Sequence, residues 1–213
     1  VKRLKVETYY QKEDSAECGP VSVQMVLNYF GIQKSERELT EGMTRDDSLG
    51  GTYIYENGSL MLNQGLKVHL LTANPLLFPR DKRAGLKKMD RLQEYLQDFQ
   101  KRTPKREKPL ELFKLFIAGG GKVKVQIPDF EHIQEAIDKE QLILASIQGA
   151  ALGSREGGYH YVVVSGYKEN AVYINNPLPG SKTGWFPVKD FIHAVLSSSC
   201  FDVDNGSLLI VGR

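Results

Sequence analysis

One cysteine and one histidine in this chain sit where catalysis could use them. Cys18-Gly19-Pro20 stands where the apolar spacing turns helical, with Val21, Met25, Val26, Tyr29 and Phe30 on one face and Gly31 as the stop. A helix N-terminus offers unpaired N–H groups and the positive end of the macrodipole, which favour a thiolate. Gly19 allows another group close to the backbone, and Pro20 suits a first helical turn, where its missing N–H costs nothing. The plainer reading of Cys18 is a small buried residue under a helix start. His160 opens the apolar run HYVVVSGY directly after Gly157-Gly158-Tyr159. A histidine at the mouth of a strand, beside glycines that leave room for a substrate, is placed for general-base work; alone, it reads equally as an edge-strand histidine facing water. Asn175 and Asn176 close the following strand, and folding the hairpin returns that strand's end toward His160. A side-chain oxygen there can hold an imidazole in one tautomer, although Asn176, preceding Pro177, also suits a plain turn.

The other candidates carry less. His69 alternates with Val68 and Leu70 in a strand and reads as structural, and His132 and His193 fall on amphipathic helices and are expected to be exposed. Cys18 and Cys200 have no nearby ligand partners at zinc spacing. Gly119-Gly120-Gly121-Lys122 lacks the following Ser or Thr of a phosphate loop and reads as a turn. No metal, cofactor or nucleotide is indicated.

The elements that must position Cys18 and His160 follow from spacing. Val6, Thr8 and Tyr10 alternate in an extended arm, and Pro20–Gly31 is a helix. Ser35 with Glu38 is a capping-box signature for a helix ending near Gly42. Tyr53–Gln64 reads as a helix and Leu66–Thr72 as a strand. The section from about 75 to 121 reads as a helical insertion, with apolar positions Leu86, Met89, Leu92, Leu96 and Phe99, then a short helix Leu110–Ala118. It is too short to build its own core. Lys122–Ile127 is a strand, Phe130–Lys139 a helix and Gln141–Gln148 a buried strand. Tyr159–Tyr167 and Ala171–Asn175 form a hairpin, followed by Trp185–Pro187, a short helix Val188–Leu196 and a last strand Ser207–Val211. Helices first and an antiparallel sheet last argue a single α+β domain over residues 1–213.

Composition bounds the class. The 213 residues are 41% hydrophobic and 25% charged, with a formal net charge of +2. That balance supplies no field drawing the chain to nucleic acid or an anionic membrane. No apolar run approaches a membrane span. Two cysteines and no visible signal peptide lead us to expect a reduced, cytoplasmic protein.

The segment YYQKEDSAECGPVSVQMVLNYFG resembles the start of C39-type and C39-like peptidases of the papain superfamily, and GGYHYVVVSGYKENAVYINNP resembles their His-strand-turn-strand motif. The likeness covers roughly Glu7–Gly31 and Gly157–Pro177, and is nearest to stand-alone proteins without an exporter domain. It implies a papain-like fold, a cysteine peptidase acting on a peptide or protein, Cys18 as nucleophile, His160 as base, Asn176 as orienter and Gln11 as a donor to the oxyanion. Two departures stand out. Asn176 occupies a position where C39 enzymes usually carry Asp, though papain uses Asn, and Gln11 lies seven positions before Cys18, one more than papain-like spacing. An acyl- or peptidyltransferase using the same thioester, or a non-catalytic peptide-binding module, remain as alternatives at this point.

Overall fold

Apolar strands from both halves of the chain pair into one sheet, and helices from both halves pack on it. The computed structural model describes residues 1–43, 51–74, 107–153, 158–198 and 206–213. In chain order these give strand β1 (Lys2–Arg3), helices α1 (Cys18–Tyr29), α2 (Glu36–Glu41) and α3 (Ile54–Asn63), then β2 (Lys67–Thr72) and α4 (Glu107–Ala118). There follow β3 (Lys122–Val125), α5 (Phe130–Asp138), β4 (Leu142–Gln148), a 3-10 turn (Gly149–Leu152), β5 (Tyr159–Lys168), β6 (Ala171–Asn175), β7 (Gly184–Pro187), α6 (Val188–Leu196) and β8 (Ser207–Gly212). The sheet runs β3-β2-β8-β4-β5-β6-β7, with β1 added beside β5. This is the expected α+β architecture.

Two features differ from the sequence reading. The sheet is not wholly antiparallel, because β2 and β3 pair in parallel. Parallel neighbours need a long crossover, and the stretch between these strands, which ends in α4, provides one. The arm expected to extend through Tyr10 is a strand only at Lys2–Arg3; beyond it Leu4 and Val6 still turn inward to the core. The capping box at the start of α2 is present in full, with the Ser35 side chain accepting from the Glu38 N–H and the Glu38 carboxylate accepting from the Ser35 N–H. Of the expected insertion, residues 75–106 lie outside the described residues, while α4 packs on α3.

Strand β4 is buried along nearly its whole length, because α1, α5 and α6 all pack on it. A run without alternation is what such a doubly covered strand requires. On the other flank, the ring of Phe116 in α4 fills the space beside two glycines. A Cβ on Gly58 of α3 would stand 2.6 Å from that ring, and one on Gly121 would stand 2.4 Å from it.

This contact yields a prediction. Gly58→Ala should destabilise the protein by about 1–3 kcal/mol through overpacking. Combining it with Phe116→Leu should cost less than the two single changes summed, since the smaller side chain makes room for the added methyl. Urea unfolding midpoints of the four proteins measure both effects, and strict additivity would contradict the proposed contact.

Candidate active site

Helix α1 begins two residues earlier than expected, at Cys18, with Glu17 as its N-cap residue. Pro20 is therefore the third helical residue and still falls among the first N–H positions that have no partner within the helix. The first intrahelical bond runs from Val21 N–H to Glu17 C=O, at 3.0 Å. Cys18 is half-buried and meets three groups: the His160 side chain, the Gly19 N–H and the Tyr161 N–H.

Tyr161 does more than donate to the sulfur. Its carbonyl accepts from the Ser22 hydroxyl of α1 at 3.3 Å, and its phenol donates to the Thr52 carbonyl at 2.7 Å. One residue of β5 thus ties α1 and the 51–53 loop to the sheet beside the thiol. Gly19 is needed for the same approach: a Cβ there would lie 2.2 Å from Thr52 Oγ1 and 3.0 Å from Asn57 Oδ1. Asn57 is completely buried behind it.

His160 lies opposite Ile147 in the β4–β5 pairing. Its Nε2 is 2.7 Å from Asn176 Oδ1. That same oxygen accepts the Leu178 N–H at 3.0 Å, an Asx-turn over Pro177. Because the acceptor of a backbone N–H must be the amide oxygen, the orientation of the Asn176 side chain is fixed. Nε2 of His160 must then carry the proton, leaving Nδ1 for the thiol of Cys18. The amide of Asn176 itself donates to Thr183 Oγ1 at 3.0 Å.

Asn175 goes elsewhere. It accepts the Ser165 hydroxyl at 2.6 Å and donates to Thr8 Oγ1 and the Val6 carbonyl, securing the N-terminal arm. The division follows from a bulge in β5. Lys168 pairs with Ala171 and Gly166 with Tyr173, but Val164 pairs with Ile174, so Ser165 is an extra residue. Each extra residue exchanges the faces of everything beyond it.

Gln11 is buried and held by its own N–H, which donates to the Pro177 carbonyl at 2.9 Å. Its side-chain amide nitrogen donates to the Ser15 carbonyl, and its Oε1 is buried without a hydrogen-bond partner. Between Gln11 and Cys18 lies a turn closed by Ser15 N–H to Lys12 C=O, with Asp14 at a φ of 57°. Asp is among the residues that tolerate this left-handed backbone best.

The remaining histidines lie apart. His69 points from the exposed face of β2 and His193 is exposed on α6. His132 was expected to be exposed. Instead it is half-buried, its ring packed into a capping box with Asp129, because the N3 position of α5 turns it back over the helix start. Among the described residues no cluster of His, Cys, Asp or Glu could hold a metal. Cys200 lies outside the described residues.

The electrostatics couple the pair. Burial alone would raise the Cys18 pKa, but the His160 hydrogen bond and charge, with the two backbone N–H groups, bring it below that of an ordinary thiol. For His160, burial favours the neutral ring. Cys18 and the Asn176 oxygen outweigh this and hold the imidazole above its usual range. The two shifts have one origin, the mutual stabilisation of a thiolate and an imidazolium.

Two family models divide the chain between them. The model described as the Peptidase C39 family matches residues 6–83, which contain Gln11 and Cys18. The model described as the Peptidase_C39 like family matches residues 79–196, more than half of the chain, which contain His160 and Asn176. The chain belongs to the C39-like peptidase family. Among solved structures it is similar to a double glycine motif protease from an AMS/PCAT transporter in complex with the leader peptide, at 16% identity and a TM-score of 0.52, covering 100% of this chain and 94% of that one. It is also similar to the peptidase domain of Streptococcus ComA, a bifunctional ABC transporter involved in a quorum-sensing pathway, at 14% identity and a TM-score of 0.52, covering 98% and 99%. These likenesses show the papain-like fold of this C39-like chain. No curated protein matches it. No helix among the described residues of this family member is long and apolar enough to cross a membrane.

The coupled shifts predict the pH dependence of alkylation. Iodoacetamide should label Cys18 at pH 6 far faster than it labels glutathione, because the lowered pKa leaves thiolate where an ordinary thiol is protonated. In His160→Gln the labelling should fall at pH 6 and recover only as pH rises toward the ordinary thiol range. Equal rates for wild type and His160→Gln at pH 6 would refute the coupling.

Proposed function

We propose that this chain hydrolyses peptide bonds through a thioester on Cys18. His160 Nδ1 accepts the thiol proton, and the thiolate attacks the carbonyl carbon of the scissile amide. The oxyanion that forms lies at the N-terminus of α1, where the Cys18 N–H has no acceptor within the helix. Gln11 contributes its second amide hydrogen to the same oxyanion, the first being used on the Ser15 carbonyl. His160 then returns its proton to the leaving nitrogen, which departs as an amine. Water, deprotonated by the same imidazole, opens the thioester to a carboxylic acid and restores the thiol. Asn176 holds the ring so that Nδ1 faces the sulfur throughout.

The observation that carries this reading is the bridging position of His160, with one ring nitrogen at Asn176 Oδ1 and the other side of the ring at the Cys18 thiol. Family membership supports a peptidase, and the leader peptide bound to one structural relative favours a peptide as substrate here.

A peptide mixture read by mass spectrometry tests the proposal. Wild type should generate new peptide termini and Cys18→Ala none; identical peptide maps would overturn it. Asn176→Ala should lower kcat about tenfold or more, whereas Asn176→Asp should retain much of it, since a carboxylate accepts the same two hydrogen bonds. Asn175→Ala should instead lower stability, by about 1–3 kcal/mol for its abandoned buried partners, with a smaller effect on kcat.

A further inference from the structure

The side of the site away from α1 holds a cavity of about 550 Å³, lined among others by Ile147, Leu152, His160, Leu178, Lys182 and Phe186. We propose that this cavity receives the part of the substrate that follows the scissile bond, and that Lys182 at its rim selects a carboxylate there. The proposal rests on the thiol-peptidase reading above and names the substrate chemistry of that site.

Position gives the first argument. The cavity wall includes His160 and Asn176 but no residue of α1. In amide cleavage the departing nitrogen takes its proton from the imidazole, so the departing half of the substrate lies on the imidazole's side. A cavity that begins at His160 and runs away from Cys18 is on that side. Its size falls within the range of ligand sites, about 300–1,000 Å³.

Chemistry gives the second. Ile147 and Phe186 are buried, and with Leu152 and Leu178 they make an apolar wall suited to a branched or aromatic side chain. Lys182 is the charged residue at the rim, its ammonium 4.9 Å from the centre of the Phe186 ring. Among the described residues, no Asp or Glu lines the cavity and no carboxylate pairs with Lys182. A cation perched on an aromatic ring at the edge of an apolar cavity is placed to meet an anion that enters behind an apolar group.

The loop that carries Lys182 is joined to the catalytic cluster. Gly180 takes a φ of 73° in a turn closed by Ser181 N–H to Leu178 C=O, at 3.1 Å. The loop starts from Leu178, whose N–H is held by Asn176 Oδ1, and ends at Thr183, whose hydroxyl accepts the Asn176 backbone N–H. The residue that orients His160 therefore also sets the position of the cavity rim. The carboxylate could be the side chain of Asp or Glu, or the C-terminus of a short substrate; both present the same anion to Lys182.

Leaving-group dipeptides test this without turnover. Isotope-labelled Cys18→Ala protein is titrated by NMR with Leu-Glu amide, Leu-Gln amide and the free acid Leu-Ala. Resonances of Leu152 and of the Leu178–Phe186 segment should move, and at least one of the two acidic ligands should bind about threefold or more tighter than Leu-Gln amide. Tighter Leu-Glu amide identifies a side-chain carboxylate, and tighter Leu-Ala acid a chain terminus. The preference should vanish or reverse in Lys182→Glu and persist in Lys182→Arg. No binding by any dipeptide, equal binding by all three, shifts mapping outside the cavity, or a preference that survives Lys182→Glu would overturn the proposal. Alkylation of wild-type Cys18 reports separately on the peptidase reading: slow, His160-independent labelling defeats that reading, whereas fast labelling without a carboxylate preference defeats only the subsite.

Discussion

Taking a sulfur out of water and still ionising it is costly, and the arrangement around Cys18 is organised to offset that cost. Half-burial pushes the thiol toward its neutral form, and the opposing groups come from two places in the chain. The helix supplies the Gly19 N–H, and β5 supplies both the Tyr161 N–H and the adjoining His160 imidazole, which is bonded to Asn176. None of these works unless α1 is seated close against β5. That seating requires Gly19, since any side chain there would collide with Thr52, and it is fastened by the Ser22 and Thr52 bonds to Tyr161. The packing of one helix end on one strand thus becomes an electrostatic property of one sulfur.

The hairpin adds a second constraint, of register. Lys168 pairs with Ala171 at the turn. Continued without interruption, that pairing would place Asn175 opposite Val164, on the face of the sheet that His160 shares. The extra residue Ser165 reverses this, so that Asn175 lies opposite Val163 and the next residue, Asn176, faces His160. The bulge also creates the use to which Asn175 is put, because Ser165 bonds it while Asn175 holds the arm at Val6 and Thr8. That arm leads to Gln11, whose N–H is fixed on Pro177 next to Asn176. A single inserted residue thereby turns one of two adjacent asparagines to the N-terminal arm and the other to His160.

Much of this was legible in the sequence, for identifiable reasons. Cys18-Gly19-Pro20 at the onset of a 3.6-residue period marks a helix start, and the run after His160 has the apolar content of a buried strand. The helix starts at Cys18 rather than Pro20 because the boundary depends on tertiary contacts of Gly19 that no local pattern announces. The choice between Asn175 and Asn176 could not be made from turn chemistry alone, since counting from Lys168-Glu169-Asn170 gives the opposite face; only the resemblance to the C39 motif pointed to Asn176. The parallel pairing of β2 with β3 was hidden because each strand shows only its own alternation. His132 was misread as exposed because the N3 role of its ring depends on Asp129 acting as cap, a reciprocal bond between neighbours that amphipathic spacing does not reveal.

The central claim is that Cys18 and His160 share one proton equilibrium, each shifting the other toward its charged form in the folded protein. Nitrogen-15 NMR of the His160 ring near neutral pH measures this directly, with His160→Gln providing the assignment. The account predicts a His160 ring that stays protonated to higher pH than an ordinary histidine in wild type, and a titration moved to lower pH in Cys18→Ala, where burial is left unopposed by a thiolate. A His160 titration unchanged by Cys18→Ala would contradict it.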